Sequence, residues 1–425
     1  MNPSLVPVII FILCYALFVV LPKRRSWIAL GGGVLLVVTG ALDWRVALTE
    51  TIQWNVIALF FGTLLLAELF MQSRMPAVMA EFLVDRTHTA RGAMLAVCAL
   101  SGGLSMFVEN VAVVLLVAPV ALSLADKLKS SPVRLLIAIA ISSNLQGTAT
   151  LIGDPPSMIL GGYMKMSFND FIVYQGKPGI FFAVQVGALA SLAVLAWQMR
   201  AHREPTTLVP QEKIRSWVPG LLMLALILGL SVTSVFDPDF KWLAGTLTMV
   251  MASIGLLWYH FRAKWQSMRN LIGILDWDTT LFLIGVFVIV GGLSESGWLD
   301  SAAAWISTHL GHSLFSAFAA IVLVAVLLSA FVDNVPFLLA MIPVVQKVAD
   351  NLNAPVPVLM FGLLIGACLG GNITPIGASA NVVAIGMLKK RGYVVTFREF
   401  MAIGVPFTVA AVLAASTLVW LVWAP

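Results

Sequence analysis

Long apolar runs separated by short polar ones set the pattern of this chain. A helix needs about 20 apolar residues to cross a bilayer, and ten runs have that length, near residues 4–21, 26–42, 52–71, 134–160, 179–199, 217–235, 242–260, 277–294, 356–386 and 403–423. Two more apolar stretches, 92–126 and 313–347, are too long for one crossing, and each is cut at its middle by a charged and an amide residue, Glu109-Asn110 and Asp333-Asn334. Each is predicted to be a re-entrant hairpin that enters and leaves the membrane on the same side.

The pattern repeats. Residues 107–158 align with 331–382 at an offset of 224 without a gap, with 17 identities in 52 positions that include Asn110, Pro119, Gly147, Thr150 and Gly153. Bilayer composition alone would not align those residue types. With a one-residue shift the match extends upstream, pairing Trp54 with Trp277 and Gly62 with Gly285. Each half then has five crossings and a hairpin, and because five is odd the second half is predicted to sit upside down relative to the first, an inverted-topology repeat of the kind many secondary transporters share. The predicted fold is an all-α polytopic membrane protein with a first repeat over 1–199, a cytoplasmic polar linker over 200–216 and a second repeat over 217–425.

Composition narrows the class further. Of 425 residues, 60% are apolar and 11% charged, with a mean hydropathy of +0.98, whereas soluble domains carry roughly 25% charged residues. Soluble enzymes and nucleic-acid binders are excluded, and the bilayer is the expected partner. The net charge of +5 is read through the positive-inside rule. With the N-terminus outside, 20 of the 25 Lys and Arg fall in cytoplasmic segments, which also places the first hairpin at the cytoplasmic face and the second at the outer face. On this count both termini lie outside and no Lys or Arg is left within the membrane. The charges at Lys23, Arg24 and Arg25 follow the first apolar run, so a retained helix is expected there instead of a signal peptide. Cys14, Cys98 and Cys368 lie far apart in apolar stretches and read as packing residues. His309 and His312 are the one pair that invites a surface metal reading, and no G-x-G-D or H-E-x-x-H pattern supports an intramembrane hydrolase.

Four acidic residues lie in apolar segments, Glu68, Glu109, Asp154 and Asp333, and each costs about 3 kcal/mol at a bilayer centre on insertion scales. Glu68 has no repeat partner and reads as structural. Glu109 and Asp333 occupy equivalent hairpin tips. Asp154 belongs to 142–156, where Gly147, Gly153, Pro155 and Pro156 interrupt a crossing, and 370–381 does the same with Gly370, Gly371, Pro375 and Gly377. A helix broken in lipid must turn its freed backbone groups toward protein or a polar cavity. Two tips and two breaks are therefore expected to converge near the midplane. The site would offer the carboxylates, the backbone at Gly147, the hydroxyls of Thr148, Thr150, Thr374 and Ser379, and the amides of Asn110, Asn144, Asn334, Asn372 and Asn381. Such oxygen ligands suit Na⁺ or protons as the coupling ion, with Asn110, Asn144, Asn334 and Asn372 as candidate Na⁺ ligands, and helix N-termini suit an anion. No cofactor and no resident metal is expected.

These elements look like the ion transporter superfamily. Within it the chain resembles the arsenite-permease and P-protein branch, through F-V-E-N-V and F-V-D-N-V at the hairpins, T-L-I-G-D-P-P at 150–156 and G-A-C-L-G-G-N-I-T-P-I-G-A-S-A-N-V-V at 366–383. The resemblance implies two inverted repeats, a homodimer held by scaffold helices, and a transport domain sliding in elevator fashion, in a bacterial inner membrane. The distantly similar divalent-anion/sodium symporters carry Ser-Asn-Thr at the tips. Here Glu109-Asn110-Val111 and Asp333-Asn334-Val335 depart from that pattern and speak against dicarboxylate recognition.

The expected function is secondary active transport, not enzymatic chemistry. Carboxylates without an intramembrane base disfavour an unescorted dianion, so the expected cargo is a small inorganic anion or an oxyacid such as arsenite or antimonite, coupled to H⁺ or Na⁺. Sodium/proton antiport, a passive chloride channel, and sodium-coupled dicarboxylate or sulfate symport are the alternatives.

Overall fold

A computed structural model describes residues 5–202, 204–205, 212–299, 301 and 313–425. The first half runs α1 (Leu5–Val20), α2 (Arg25–Val38), α3 (Trp54–Gln72), α4 (Met75–Asp85), the hairpin α5 (Ala90–Ser105) and α6 (Asn110–Lys127), the interrupted pair α7 (Val133–Gly147) and α8 (Pro155–Met164), and α9 (Ile180–Gln198). The second half runs α10 (Val218–Phe236), α11 (Leu243–Trp258), α12 (Met268–Ile274), α13 (Trp277–Glu295), the hairpin α14 (Leu314–Ser329) and α15 (Asn334–Asn351), the interrupted pair α16 (Val356–Gly370) and α17 (Ser379–Lys390), and α18 (Phe397–Trp423). His309 and His312 lie outside the described residues.

Most elements lie within a few residues of the hydropathy pattern. Helices α4 and α12 were not anticipated, because their short amphipathic stretches sit in what reads as polar loop. Helix α18 starts six residues early, since Thr396 caps it by accepting the Glu399 N–H at 3.2 Å. A small antiparallel hairpin pairs Val173 with Pro178 and Tyr174 with Lys177. Its turn residues Gln175 and Gly176 both have positive φ, the conformation a two-residue hairpin turn requires.

Eight described helices are long and apolar enough to cross a membrane, among them α3, α9, α10, α13 and α18. Helices α1, α2, α5, α7 and α14 are apolar but shorter; α5, α7 and α14 belong to the hairpins and an interrupted crossing, whereas α1 and α2 fall short of the full crossings expected over 4–21 and 26–42. The outer surface, unlike that of a soluble protein, exposes many large apolar side chains. Residues Leu221, Leu224, Leu228, Val232 and Val235 are 53–73% exposed along one face of α10, a helical stripe that water would penalise and lipid would not. Helix α16 is buried from Pro357 to Gly370.

The helices pack in two groups. One contains α1–α3 and α10–α13, where α2 lies along α13 and α11 lies along α3; the other contains α5–α9 and α14–α18, where α9 lies along α18. The repeat-matched Gly62 and Gly285 sit at equivalent crossings. A Cβ on Gly285 would fall 2.4 Å from the Ala29 backbone, and one on Gly62 would fall 2.6 Å from the Thr248 side chain.

The turn into α11 is held by Asp237, which accepts the N–H groups of Lys241, Trp242 and Leu243, each at 2.9 Å. Partial burial pushes this carboxyl up, but the three donors and the Lys241 charge outweigh it and hold it below the usual carboxylate range. Its stabilisation is therefore present above the unfolded-chain value of about 3.9 and is lost as pH falls through the lower folded value. Asp237→Ala should destabilise the protein by about 1–2 kcal/mol in thermal unfolding at neutral pH in detergent, with the difference shrinking toward acid.

Candidate functional site

Each hairpin tip is built by its own sequence. Helix α5 ends at Ser105, and Glu109 caps α6 by accepting the Ala112 N–H at 3.1 Å. Ser105 Oγ bonds Asn110 Oδ1, and Ser143 from α7 donates to Ser105 Oγ at 3.0 Å. The second tip repeats the serine–asparagine bond and the acidic cap. Ser329 Oγ lies 2.5 Å from Asn334 Oδ1, and Asp333 caps α15 by accepting the Val335 N–H at 3.0 Å. Thr150 donates to the Met106 carbonyl and Thr374 to the Ala330 carbonyl, so each interrupted segment grips the tip of its own half. The two threonines thus brace the tips.

Helix α7 stops at Gly147, and the chain stays unwound until Asp154 caps α8 by accepting the Ser157 N–H at 3.0 Å. Pro155 needs no partner at that first helical position. In the matching segment the chain is irregular between α16 and α17 except for one short 3₁₀ turn, Gly371–Ile373. Between the segments lies a buried amide cluster. Asn144 Nδ2 donates to Asn372 Oδ1 at 2.9 Å and to Asn381 Oδ1 at 3.0 Å. Asn381 Nδ2 donates to the carbonyls of Gly371 (2.9 Å) and Thr374 (3.0 Å). Asn144 comes from the first half and the other two from the second, so this cluster ties the halves together.

At the offset of 224 the counterparts of Asn144, Asn372 and Asn381 are Cys368, Thr148 and Ser157. All three are buried, and Thr148 Oγ1 has no hydrogen-bond partner among the described residues. One side of the crossing is thus filled by amides. The other carries Asp154, where the repeat has Ala378, and an unpartnered hydroxyl. Beside Asp154 a cavity of about 10 Å³, room for roughly one water or ion, is lined also by Thr63 and Ala67 of α3, Phe107 and Glu109 of the first tip, and Met158. Neither Glu109 nor Asp154 has an ion-pair partner among the described residues.

Two expectations are corrected. Ser379, the first residue of α17, is exposed and does not join the buried cluster. The claim that no base reaches the carboxylates also fails, because Arg25 Nη1 lies 2.6 Å from Asp333 Oδ2. Counting charges had placed Arg25 in a loop, but it opens α2, and a long side chain reaches well past its Cα. Arg25, Asp278 and Thr279 were missed as site neighbours. The available signal was Asp278 beside Trp277, at the repeat position where the first half has Asn55 beside Trp54. Glu68 accepts from Gln72 Nε2 at 2.7 Å one turn on.

Apolar helices, paired hairpins and a polar crossing buried between them define a polytopic membrane transporter. The family described as citrate transporter (CitMHS) matches residues 15–337 and 247–424; the chain belongs to this family, within the ion transporter superfamily. It is 28% identical over 421 residues to the uncharacterized transporter slr0753 of Synechocystis sp., covering 92% of each chain. It is 27% identical to the human P protein, over 93% of this chain and 57% of that protein. Among solved structures it is similar in fold to the YdaH transporter of Alcanivorax borkumensis, with a TM-score of 0.63 at 14% identity, covering 99% of this chain and 98% of that one.

Proposed function

We propose that the protein is a secondary active transporter that moves a small inorganic anion or an oxyacid of the arsenite type, coupled to H⁺ or Na⁺. The observation that carries this reading is the pairing of Glu109 and Asp154, neither with an ion-pair partner among the described residues, around one small cavity. Carboxylates in such a place exchange protons or cations when access alternates between faces. The candidate Na⁺ ligands divide between the tips, at Asn110 and Asn334, and the inter-half cluster, at Asn144 and Asn372. The recurrence of tip and brace contacts at one offset supports an inverted repeat with re-entrant hairpins. The division into two packed groups supports elevator-type sliding of the hairpin group against the other, in a homodimer whose contact is made by the non-moving helices, in a bacterial inner membrane with both termini outside.

A citrate-like carboxylate is the second reading, favoured by the family's description and by Arg25, a fixed cation next to a hairpin tip. Proteoliposome flux with arsenite, antimonite, chloride, sulfate, citrate and a dicarboxylate, under imposed pH and Na⁺ gradients, separates these cases. Concentrative flux of arsenite or antimonite driven by a gradient is the expected result, and concentrative citrate flux selects the second reading. Purely passive chloride flux that follows voltage would make the protein a channel, and Na⁺/H⁺ exchange without any solute would make it an antiporter.

A further inference from the structure

The two tips are alike inside their own hairpins and differ in what meets them from outside. Glu109 faces the cavity and the apolar side of α3. Asp333 divides its oxygens, using Oδ1 to cap α15 and Oδ2 to meet Arg25. The guanidinium is in turn held by α13, where Asp278 Oδ2 accepts from Nε at 2.9 Å and Thr279 Oγ1 accepts from Nη2 at 2.9 Å. The ring of Phe282 lies 5.1 Å away from it. One turn into α15, the Pro336 carbonyl accepts from Tyr15 of α1 at 2.5 Å. Helices α1, α2 and α13 together therefore hold the second tip. At the matching place in the other half, Asn55, the match of Asp278, bonds the backbone of Phe240 and Gly245, and among the described residues no cation pairs with Glu109.

We propose that Arg25 is a positioning residue that latches the second hairpin tip to the α1–α2–α13 group, and that the hairpin leaves this group only when the Arg25–Asp333 pair parts. The contacts say which partner keeps the cation. Two of the three polar contacts of the guanidinium, and its ring contact, go to α13, so on parting Arg25 stays with α13 and Asp333 leaves as a bare carboxylate. A carboxylate withdrawn from its partner is left with an unbalanced charge, which a proton or a cation can offset. Asp333 is thus freed to take a proton or a cation at the moment the hairpin moves. Arg25 already carries a second carboxylate, Asp278, so it is not left unpaired. The pairing makes one tip charge-locked and the other cation-free, an asymmetry that the matched sequences of the hairpins conceal.

The latch rests on the transporter reading only in that the hairpin moves, and its test separates the two. A reporter cysteine at Val332, on the tip, is labelled with a membrane-impermeant maleimide in the full-length protein in liposomes. The backgrounds are parent, Arg25→Gln, Asp333→Asn, the double variant, and Arg25→Lys. Losing the pair should raise the labelling rate by about tenfold, a population change that a modest coupling energy produces. The double variant should label no faster than either single one, and Arg25→Lys, which keeps the charge but not the fork, should fall between Arg25→Gln and the parent. Labelling of Arg25→Gln at the parent rate, or single effects that multiply in the double variant, would overturn the latch. Should Arg25→Gln fail to assemble, Arg25→Lys against Asp333→Asn carries the same comparison, and parent-like labelling of both overturns it. Gradient-driven flux in the parent is measured alongside; its absence with a tenfold labelling effect removes the transporter reading and leaves the latch standing.

Discussion

Glu109→Gln should assemble and still let solute equilibrate while losing the pH or Na⁺ dependence of its flux. Glutamine keeps the size of the side chain and an oxygen to accept the Ala112 N–H, so the cap at α6 survives; the stability change should stay within about 1 kcal/mol. What disappears is a titratable charge at a cavity that holds no basic partner among the described residues. Gradient-driven flux should drop by at least about tenfold, a loss of roughly 1.4 kcal/mol or more in coupling, while passive counterflow persists. Parent-like flux at every pH and Na⁺ concentration would remove Glu109 from coupling and leave Asp154 as the carboxylate to test. Asp333→Asn should behave differently, because that carboxylate is neutralised by Arg25 in this state and its loss acts first on where the hairpin rests.

Gly153→Ala should be strongly damaging. A Cβ there would lie 2.2 Å from the Gly147 carbonyl oxygen and 2.9 Å from that of Ser105, both backbone atoms that no rotamer change can move. Overpacking of this kind costs about 3 kcal/mol or more, and it pushes the unwound segment off the tip that Thr150 braces. Gly103→Ala, in a helix with nothing within 4 Å of its Cβ, should stabilise by up to about 1 kcal/mol. Unfolding in detergent compares the two, and transport should be lost in the first and retained in the second. A Gly153→Ala protein as stable as its parent would mean that the close packing of break against tip is dispensable.

The hairpins and the breaks were legible because in lipid the penalties are local. An unsatisfied backbone group or a carboxylate in an apolar run has to be explained by its own neighbourhood, so E-N and D-N at mid-run and Gly-Pro clusters in a crossing mark their elements without tertiary information. The amide cluster was legible only as a set of candidates. Asn144, Asn372 and Asn381 could be named, but nothing in the spacing says that Asn144 crosses between halves while Asn110 and Asn334 stay on their own tips, bonded to Ser105 and Ser329. Ser379 was wrongly included because a helix start next to a break does not say which way its side chain turns.

By itself the sequence determined the membrane class, the positions of most long helices to within a few residues, the internal repeat and which acidic residues interrupt the apolar runs at the tips and breaks. Each of these follows from local transfer free energies and from matching positions along one chain. Only the tertiary structure decided which carboxylate meets a base. Arg25 lies 253 positions from Asp278 and 308 from Asp333, and their meeting depends on α2 packing along α13 of the other half. The pairing of charges is a property of how helices cross, and the crossing is set by close backbone contacts such as that at Gly285, which no hydropathy pattern records.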